Sequence, residues 1–300
     1  YKKSNGGVAS ALNRAIEEMS GEYFSWLSHD DLYAKEKVAR QIEALSMILS
    51  TDRERTIFYS DHEVFTSDPE TAMPVLLRGV PPGEFRYWLT TQNILHGCTL
   101  LIPKKAFVET GRFNESLRTT QDYDLWFRMA GKFRFVHLPE RLVKARSHPE
   151  QGSVRMSGLA VAECNTLLSG FIHDLTDDEL IRSSRREPVV AYAQIAASMW
   201  YRGFLSAGWL AMRLSLKNFS HSSLKLNALA LGILAKVVVM YSIFEPLRKI
   251  IPPSARLTIK RALRGTGLGK LRGPESVRNL ELKEKFTEVY EKNIFRGSVS

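Results

Sequence analysis

Hydrophobic and polar positions follow two different periods in the first part of the chain. Apolar residues from Val8 to Met19 recur at helical spacing, and a second stripe from Val38 to Leu49 predicts another helix. Between the two stripes, the apolar run from Tyr23 to Leu27 predicts a buried strand. The pattern therefore predicts a unit of helix, strand, polar turn and helix.

Further strands and helices alternate up to about Ser153, and the second half has helical patterns alone. In that half, Thr176 followed by the acidic residues 177–179 predicts a helix start. The later strands are predicted at residues 57–59, 99–102 and 133–138, and a long loop at 69–82. The fold class is therefore α/β followed by a mostly helical region. The predicted domains are an α/β domain over 1–153, a helical basic region over 154–272, and a linker with the start of a further domain over 273–300.

Composition indicates a globular chain with an uneven charge. The 300 residues are 44% hydrophobic and carry a formal net charge of +10. Basic residues without any acidic ones fill the segment between Pro246 and Gly273, which suits an anionic membrane surface at least as well as a nucleic acid. A solvated helical face that binds nothing stays open. The apolar run from Leu229 to Phe244 is short and contains Lys236, so we expect a buried or interfacial helix there.

The number of cysteines and the first residues of the chain give information on the cellular compartment. Two cysteines, Cys98 and Cys164, are too few for a disulfide framework, which favours a reducing cytoplasm. The polar start is not typical of a signal peptide, and the absence of an initiator Met suggests a fragment.

The turn after the first predicted strand has the most informative chemistry. His29, Asp30 and Asp31 follow that strand directly, which places two carboxylates at the carboxyl edge of a sheet, where α/β folds bind ligands. Carboxylates are hard oxygen ligands, so this turn suits a divalent cation holding a diphosphate. Asp31 also fits the N-cap of the following helix.

Two later segments add candidate residues. Asp122 lies at the start of a predicted helix and can face a cleft, while Asp124 caps that helix or pairs with Arg128. His148 follows a predicted strand and, with Asp30, forms an oxygen and imidazole pair suited to Mn²⁺; its alternative is an ordinary loop residue.

Gly97 opens the segment that leads into the strand at 99–102. A glycine there lets the backbone approach a ligand closely, or simply makes a turn.

These motifs occur in an order that resembles glycosyltransferase family 2, the inverting group with the GT-A nucleotide-diphospho-sugar transferase fold. The resemblance covers roughly the first half of the chain and rests on the ordered set Asn5-Gly6-Gly7, Asn13, Gly21-Glu22-Tyr23, Trp26 to Asp31, Tyr59-Ser60-Asp61, His96-Gly97-Cys98, Gly111-Arg112-Phe113 and Gln121 to Trp126. It implies a partial, Rossmann-like GT-A domain whose first strands precede Tyr1.

The resemblance also implies roles for individual residues. Asp30 and His148 would bind Mn²⁺ or Mg²⁺ on the donor diphosphate, and Asp122 would be the general base. Donor-binding positions would be Asn13, Asp31 and Gly97. Two residues depart from the family pattern: Ser28 stands in place of the first metal-motif aspartate and Gln121 in place of a glutamate.

The expected function is hexosyl transfer from a nucleotide sugar, a UDP-sugar foremost, to a glycan or lipid-linked acceptor in bacterial surface polysaccharide synthesis. The expected place is the cytoplasm, peripheral on the inner face of the plasma membrane, with no nucleic-acid partner. The alternatives are a nucleotidyltransferase and a catalytically inactive, membrane-associated binding protein. The tail from Phe286 to Ser300 is similar to the lead-in of some class I methyltransferases.

Overall fold

The computed structural model describes residues 3–92, 95–151 and 155–239. The chain divides into two compact units, 1–231 and 232–300, and the described part of the second is 232–239. The basic segment between Pro246 and Gly273, the linker and the tail lie outside the described residues. Within the described ranges, no helix combines the length and apolarity that crossing a bilayer requires.

Strands and helices alternate in the first half, as predicted. The strands are β1 Tyr23–Phe24, β2 Leu32–Tyr33, β3 Thr56–Phe65, β4 Met73–Val75, β5 Ile102–Pro103 and β6 Arg134–Arg146. The helices of this half are α1 Gly7–Glu18, α2 Lys37–Ser46, α3 Ser50–Arg53, α4 Phe85–Thr91, α5 Lys104–Thr110 and α6 Gln121–Ala130.

The second half is helical. Its helices are α7 Ser157–Asp174, α8 Asp177–Ser184, α9 Pro188–Tyr201, α10 Leu205–Lys217 and α11 Leu224–Val239. The fold class is thus confirmed as α/β followed by a mostly helical region.

Two details of the predicted pattern are wrong. The segment predicted as a strand at 99–102 begins as a 3-10 turn, Gly97–Thr99, and strand pairing starts only at Leu101. The loop predicted at 69–82 contains the edge strand β4, which pairs antiparallel with β3. Both are short segments, and the presence or absence of strand pairing, which the local pattern does not set, decides their conformation.

The sheet brings several strand ends to one edge. A four-stranded sheet has the order β2-β6-β3-β4, in which β3 and β6 are parallel. The β1–β5 pair is antiparallel and joins β3 through an antiparallel bridge between Phe58 and Leu101. Because β5 runs against both β1 and β3, the strands β1, β3 and β6 run in the same direction. Residues after β1 and after β6 therefore lie at the same, carboxyl, edge.

Helix α2 buries a face that its apolar pattern does not predict. Val38 and Ile42 are exposed, whereas Lys37 and Gln41 are fully buried. The Lys37 amine donates to Ser25 Oγ at 2.9 Å and to Gln41 Oε1 at 2.9 Å, and Gln41 Nε2 donates to Thr99 O at 2.8 Å. A hydrogen-bonded polar network thus holds this helix to the segment that follows β1, and such a network leaves no hydrophobic signal.

The helices α7 to α9 pack in the same unit as the α/β part. The Phe171 ring of α7 stacks on Phe127 of α6, and Arg86 of α4 pairs with Glu179 of α8 at 3.1 Å. Thr176 and Glu179 form the capping box that starts α8, as the sequence predicts. The predicted domain boundaries at 153 and 272 stay predictions.

Candidate active site

The acidic turn lies between β1 and β2, at the carboxyl edge of the sheet. Asp31 N donates to Ser28 O at 3.2 Å, which closes the turn. The side chain of His29 is 94% exposed and that of Asp30 only 14%. The turn therefore directs its two carboxylates inward, to different partners.

Asp30 pairs with His148, as the sequence predicts. Asp30 Oδ2 and His148 Nε2 lie 2.6 Å apart, and His148 follows the end of β6 by two residues. Partial burial acts to raise the pKa of Asp30, but the hydrogen bond from His148 and the nearby imidazoles outweigh it and hold the pKa below its usual range. An ionised carboxylate beside an imidazole is a donor set that fits Mn²⁺.

Asp31 is buried and does not cap a helix, so the capping prediction is wrong. The strand β2 follows it directly, and α2 begins only at Lys37. Asp31 Oδ1 accepts a hydrogen bond from Arg146 N at 2.9 Å, which ties the turn to the end of β6. Arg146 can bind this carboxylate, although it is far away in the chain, because β1 and β6 end at the same edge of the sheet.

The other oxygen of Asp31 faces a histidine and a cysteine. Asp31 Oδ2 lies 3.4 Å from Cys98 Sγ and 3.6 Å from His96 Nε2. One ligand atom from each of the three residues falls within 4.8 Å of the others. The sequence predicts no site role for Cys98 or His96; the two become partners of Asp31 through the turn at Gly97.

Asp122 lies in the first turn of α6, half-buried, and its Oδ1 accepts from Tyr123 N at 2.8 Å. Loss of hydration raises the pKa of Asp122 to about 6, against the backbone hydrogen bonds, which lower it. A carboxylate with such a pKa suits a general base near neutral pH. Asp124 pairs with Arg128 at 2.7 Å, the second of its two predicted roles, while Thr120 takes the N-cap position.

One loop links the acidic turn to the helix that carries Asp122. Leu95 N donates to Tyr123 Oη at 3.2 Å, and His96, the next residue, lies beside Asp31. The segment Leu95–Cys98 therefore contacts both predicted parts of the site.

Glu163 of α7 organises the segment before α6, which the sequence analysis did not predict. Its Oε1 accepts from Arg118 N at 2.8 Å, and its Oε2 accepts from Thr119 N at 2.9 Å and Thr119 Oγ1 at 2.6 Å. A lone glutamate in a helix gives no sequence signal for this role. The contact shows that the helical region positions the start of α6.

Asn13 and Gly97, predicted to bind the donor, have other contacts in the structure. Asn13 Nδ2 donates to Phe113 O at 2.9 Å and to Glu115 Oε1 at 2.9 Å, and its Oδ1 accepts from Phe113 N at 3.0 Å. A Cβ on Gly97 would overlap the indole of Trp26. These contacts explain why an asparagine and a glycine stand at the two positions. Binding of the sugar donor by either residue stays a prediction.

Fold and site together define an α/β domain with a candidate cation-binding turn at the carboxyl edge of its sheet. The sequence model described as Glycosyl transferase family 2 matches residues 1–52 of this chain. That range contains the whole acidic turn.

Relatives from several bacteria match a longer part. A protein of Rickettsia felis named "Uncharacterized glycosyltransferase" is 41% identical over 200 residues, which are 61% of this chain and 30% of the relative. A glycosyltransferase of Rickettsia typhi is 37% identical over 60% of this chain and 57% of the relative. The hyaluronan synthase of Pasteurella multocida is 27% identical over 52% of this chain and 15% of the relative.

These matches confirm the resemblance to glycosyltransferase family 2 that the ordered motifs predict. The matched region spans between 30% and 57% of the length of the two Rickettsia relatives.

Proposed function

We propose that this chain contains the catalytic site of a metal-dependent, inverting glycosyltransferase. It moves a hexose from a nucleoside-diphosphate donor, a UDP-sugar foremost, to a hydroxyl of a glycan or lipid-linked acceptor in bacterial surface polysaccharide synthesis. The single observation that supports this most is the Asp30–His148 pair, because two donors 118 positions apart converge at the ligand-binding edge.

Asp30 and His148 would hold Mn²⁺ or Mg²⁺. An ion held there would supply Lewis-acid stabilisation of the charge that develops on the leaving diphosphate. Asp30 supplies a hard oxygen, and its pKa, held low by His148, keeps that oxygen ionised. Asp31 does not need to reach the ion, since Arg146 N and its other neighbours occupy its carboxylate.

Asp122 would accept the proton of the acceptor hydroxyl. The hydroxyl oxygen attacks the anomeric carbon from the face opposite the diphosphate, the bond to the diphosphate oxygen breaks, and the configuration inverts. A pKa of about 6 leaves Asp122 ionised at neutral pH yet basic enough to take that proton. Glu163 would act as a positioning residue, since it fixes the two residues that precede the N-cap of α6.

The proposed role in surface polysaccharide synthesis is supported by the name of one relative. One relative is a hyaluronan synthase of a bacterium. Peripheral contact with the inner face of the plasma membrane rests on the basic segment between Pro246 and Gly273 and on sequence alone.

The test is metal-dependent binding and slow hydrolysis of a panel of nucleotide sugars by the full-length protein. We expect turnover of one donor with Mn²⁺ or Mg²⁺ and none with EDTA. Turnover that persists in EDTA would contradict the metal dependence. A folded protein that binds no nucleotide sugar would instead support the inactive binding protein.

A further inference from the structure

We propose that Asp31, His96 and Cys98 form a second cation site, selective for a zinc-class ion, beside the Asp30–His148 pair. The proposal does not depend on the transfer reaction. It concerns the carboxylate of Asp31 in the acidic turn, the imidazole of His96 and the thiol of Cys98. The proposed mechanism does not use these three groups.

The donor set distinguishes this site from the first. Cysteine sulfur, histidine nitrogen and aspartate oxygen are the ligands of protein zinc sites, whereas Mg²⁺ and Mn²⁺ prefer oxygen. One thiolate and one carboxylate balance the charge of a divalent ion, which matters because Asp31 and Cys98 are both buried. The site therefore suits a softer ion than the one proposed at Asp30.

Two of the three spacings between donor atoms fit tetrahedral coordination, and the third, between His96 and Cys98, is within 4.8 Å. Bond lengths of about 2.0–2.3 Å imply that neighbouring ligand atoms of a tetrahedral ion lie roughly 3.3–3.8 Å apart. The distances here are 3.4 Å between Asp31 Oδ2 and Cys98 Sγ, and 3.6 Å between Asp31 Oδ2 and His96 Nε2. Three protein ligands would leave a fourth position for water or another ligand.

Among the described residues, two buried ring nitrogen atoms without partners lie in or next to the ligand His96, and both are distinct from the His96 Nε2 that faces Asp31. Within the described part of the chain, His96 Nδ1 and His62 Nδ1 are buried and have no hydrogen-bond partner. His62 itself is only 5% exposed, and its ring lies against that of His96 with 5.3 Å between centroids.

The thiol is held in place to ligate. Cys98 Sγ accepts a hydrogen bond from Ser28 N at 3.4 Å and lies 3.4 Å from Ser28 Oγ. Binding an ion would release the thiol proton to solvent. Without an ion, the same contacts form a hydrogen-bonded network in which the Cys98 thiol donates to Asp31. Titration with a metal ion distinguishes a cation site from such a network.

The test titrates reduced, metal-free protein with Co²⁺, which takes tetrahedral zinc sites and gives a strong thiolate-to-cobalt absorption band. We expect a band that saturates at one equivalent, disappears on adding Zn²⁺ and survives excess Mg²⁺. The band should be lost in Cys98→Ser and retained in Cys164→Ser, which removes the other described thiol. It should also persist in Asp30→Ala, which separates this site from the proposed catalytic ion.

Because Cys98 is buried, His96→Gln provides a variant that leaves the thiol intact. Since loss of even an outer-shell partner weakens metal binding about 10- to 100-fold, removal of this ligand should weaken Zn²⁺ binding at least about tenfold. Circular dichroism melting checks that each variant is folded. No band in the wild type, a band that survives Cys98→Ser, or unchanged Zn²⁺ affinity in His96→Gln would overturn the proposal.

Discussion

His148 Nε2 lies 2.6 Å from Asp30 Oδ2, although 118 positions separate the two residues. The contact forms because β1 and β6 run in the same direction and end at one edge of the sheet, one followed by the acidic turn and the other by His148. It brings an oxygen and an imidazole together, and the proposed metal site depends on it.

Replacing Asp30 tests the proposed ion. We expect Asp30→Ala to lower transfer at least about 100-fold, because an ion that offsets charge on the leaving group contributes several kcal/mol to the transition state. The measurement is the initial rate over a Mn²⁺ titration. Asp178→Ala, at an exposed carboxylate in α8, is the matched control and should keep the wild-type rate. A wild-type rate in Asp30→Ala would remove this residue from the mechanism.

Replacing Asp122 tests the proposed base. Asp122→Asn should reduce the rate about 10²- to 10⁴-fold while the donor Kd stays unchanged, because an amide cannot accept the proton. Since burial raises the pKa of Asp122 to about 6, the wild-type rate should fall as the pH drops through about 6. Rate and Kd are measured separately across pH. Asp124→Asn, on the same helix but paired with Arg128, is the control. Equal losses in both variants would argue for damage to α6 instead of loss of a base.

The buried amine of Lys37 predicts a pH-dependent stability. Burial lowers the pKa of Lys37 to about 8, so above that pH the folded protein has lost a proton that the unfolded chain keeps. The free energy of unfolding should therefore rise by about 2–3 kcal/mol, relative to Lys37→Met, between about pH 7 and about pH 10. Urea unfolding across this range measures it. Lys132→Met changes an exposed amine and should follow the wild-type curve. Parallel curves for wild type and Lys37→Met would contradict the prediction.

The close packing around Gly97 predicts that a larger residue at this position destabilises the fold. In Gly97→Ala the new methyl group would overlap the Trp26 indole, so we expect a loss of about 1–3 kcal/mol in the free energy of unfolding. Gly170→Ala in α7 is the matched control, because a methyl group added there would meet no described atom within 4 Å outside its own helical turn. The control should gain about 0.5–1 kcal/mol from helix propensity. Thermal melts compare the two, and equal stability in both variants would show that Trp26 moves aside at no cost.

Local pattern was sufficient to predict most elements. The spacing of apolar residues predicted α1, the strand β3 and the strand β6, and the Thr176–Glu179 spacing predicted the start of α8. It misjudged α2, where Lys37 and Gln41 form the buried face, because hydrogen bonds to distant atoms replace apolar contacts there.

Sequence order determined that a strand ends in Asp30 and Asp31, that a helix begins near Asp122, and that His148 follows another strand, because each depends on neighbours in the chain. Only the tertiary structure decided which of these groups meet. The direction of β1 and β6 paired Asp30 with His148, the turn at Gly97 placed His96 and Cys98 beside Asp31, and the packing of α7 fixed the start of α6 through Glu163. Such contacts depend on strand direction and on burial between residues far apart in the chain, which no local pattern records.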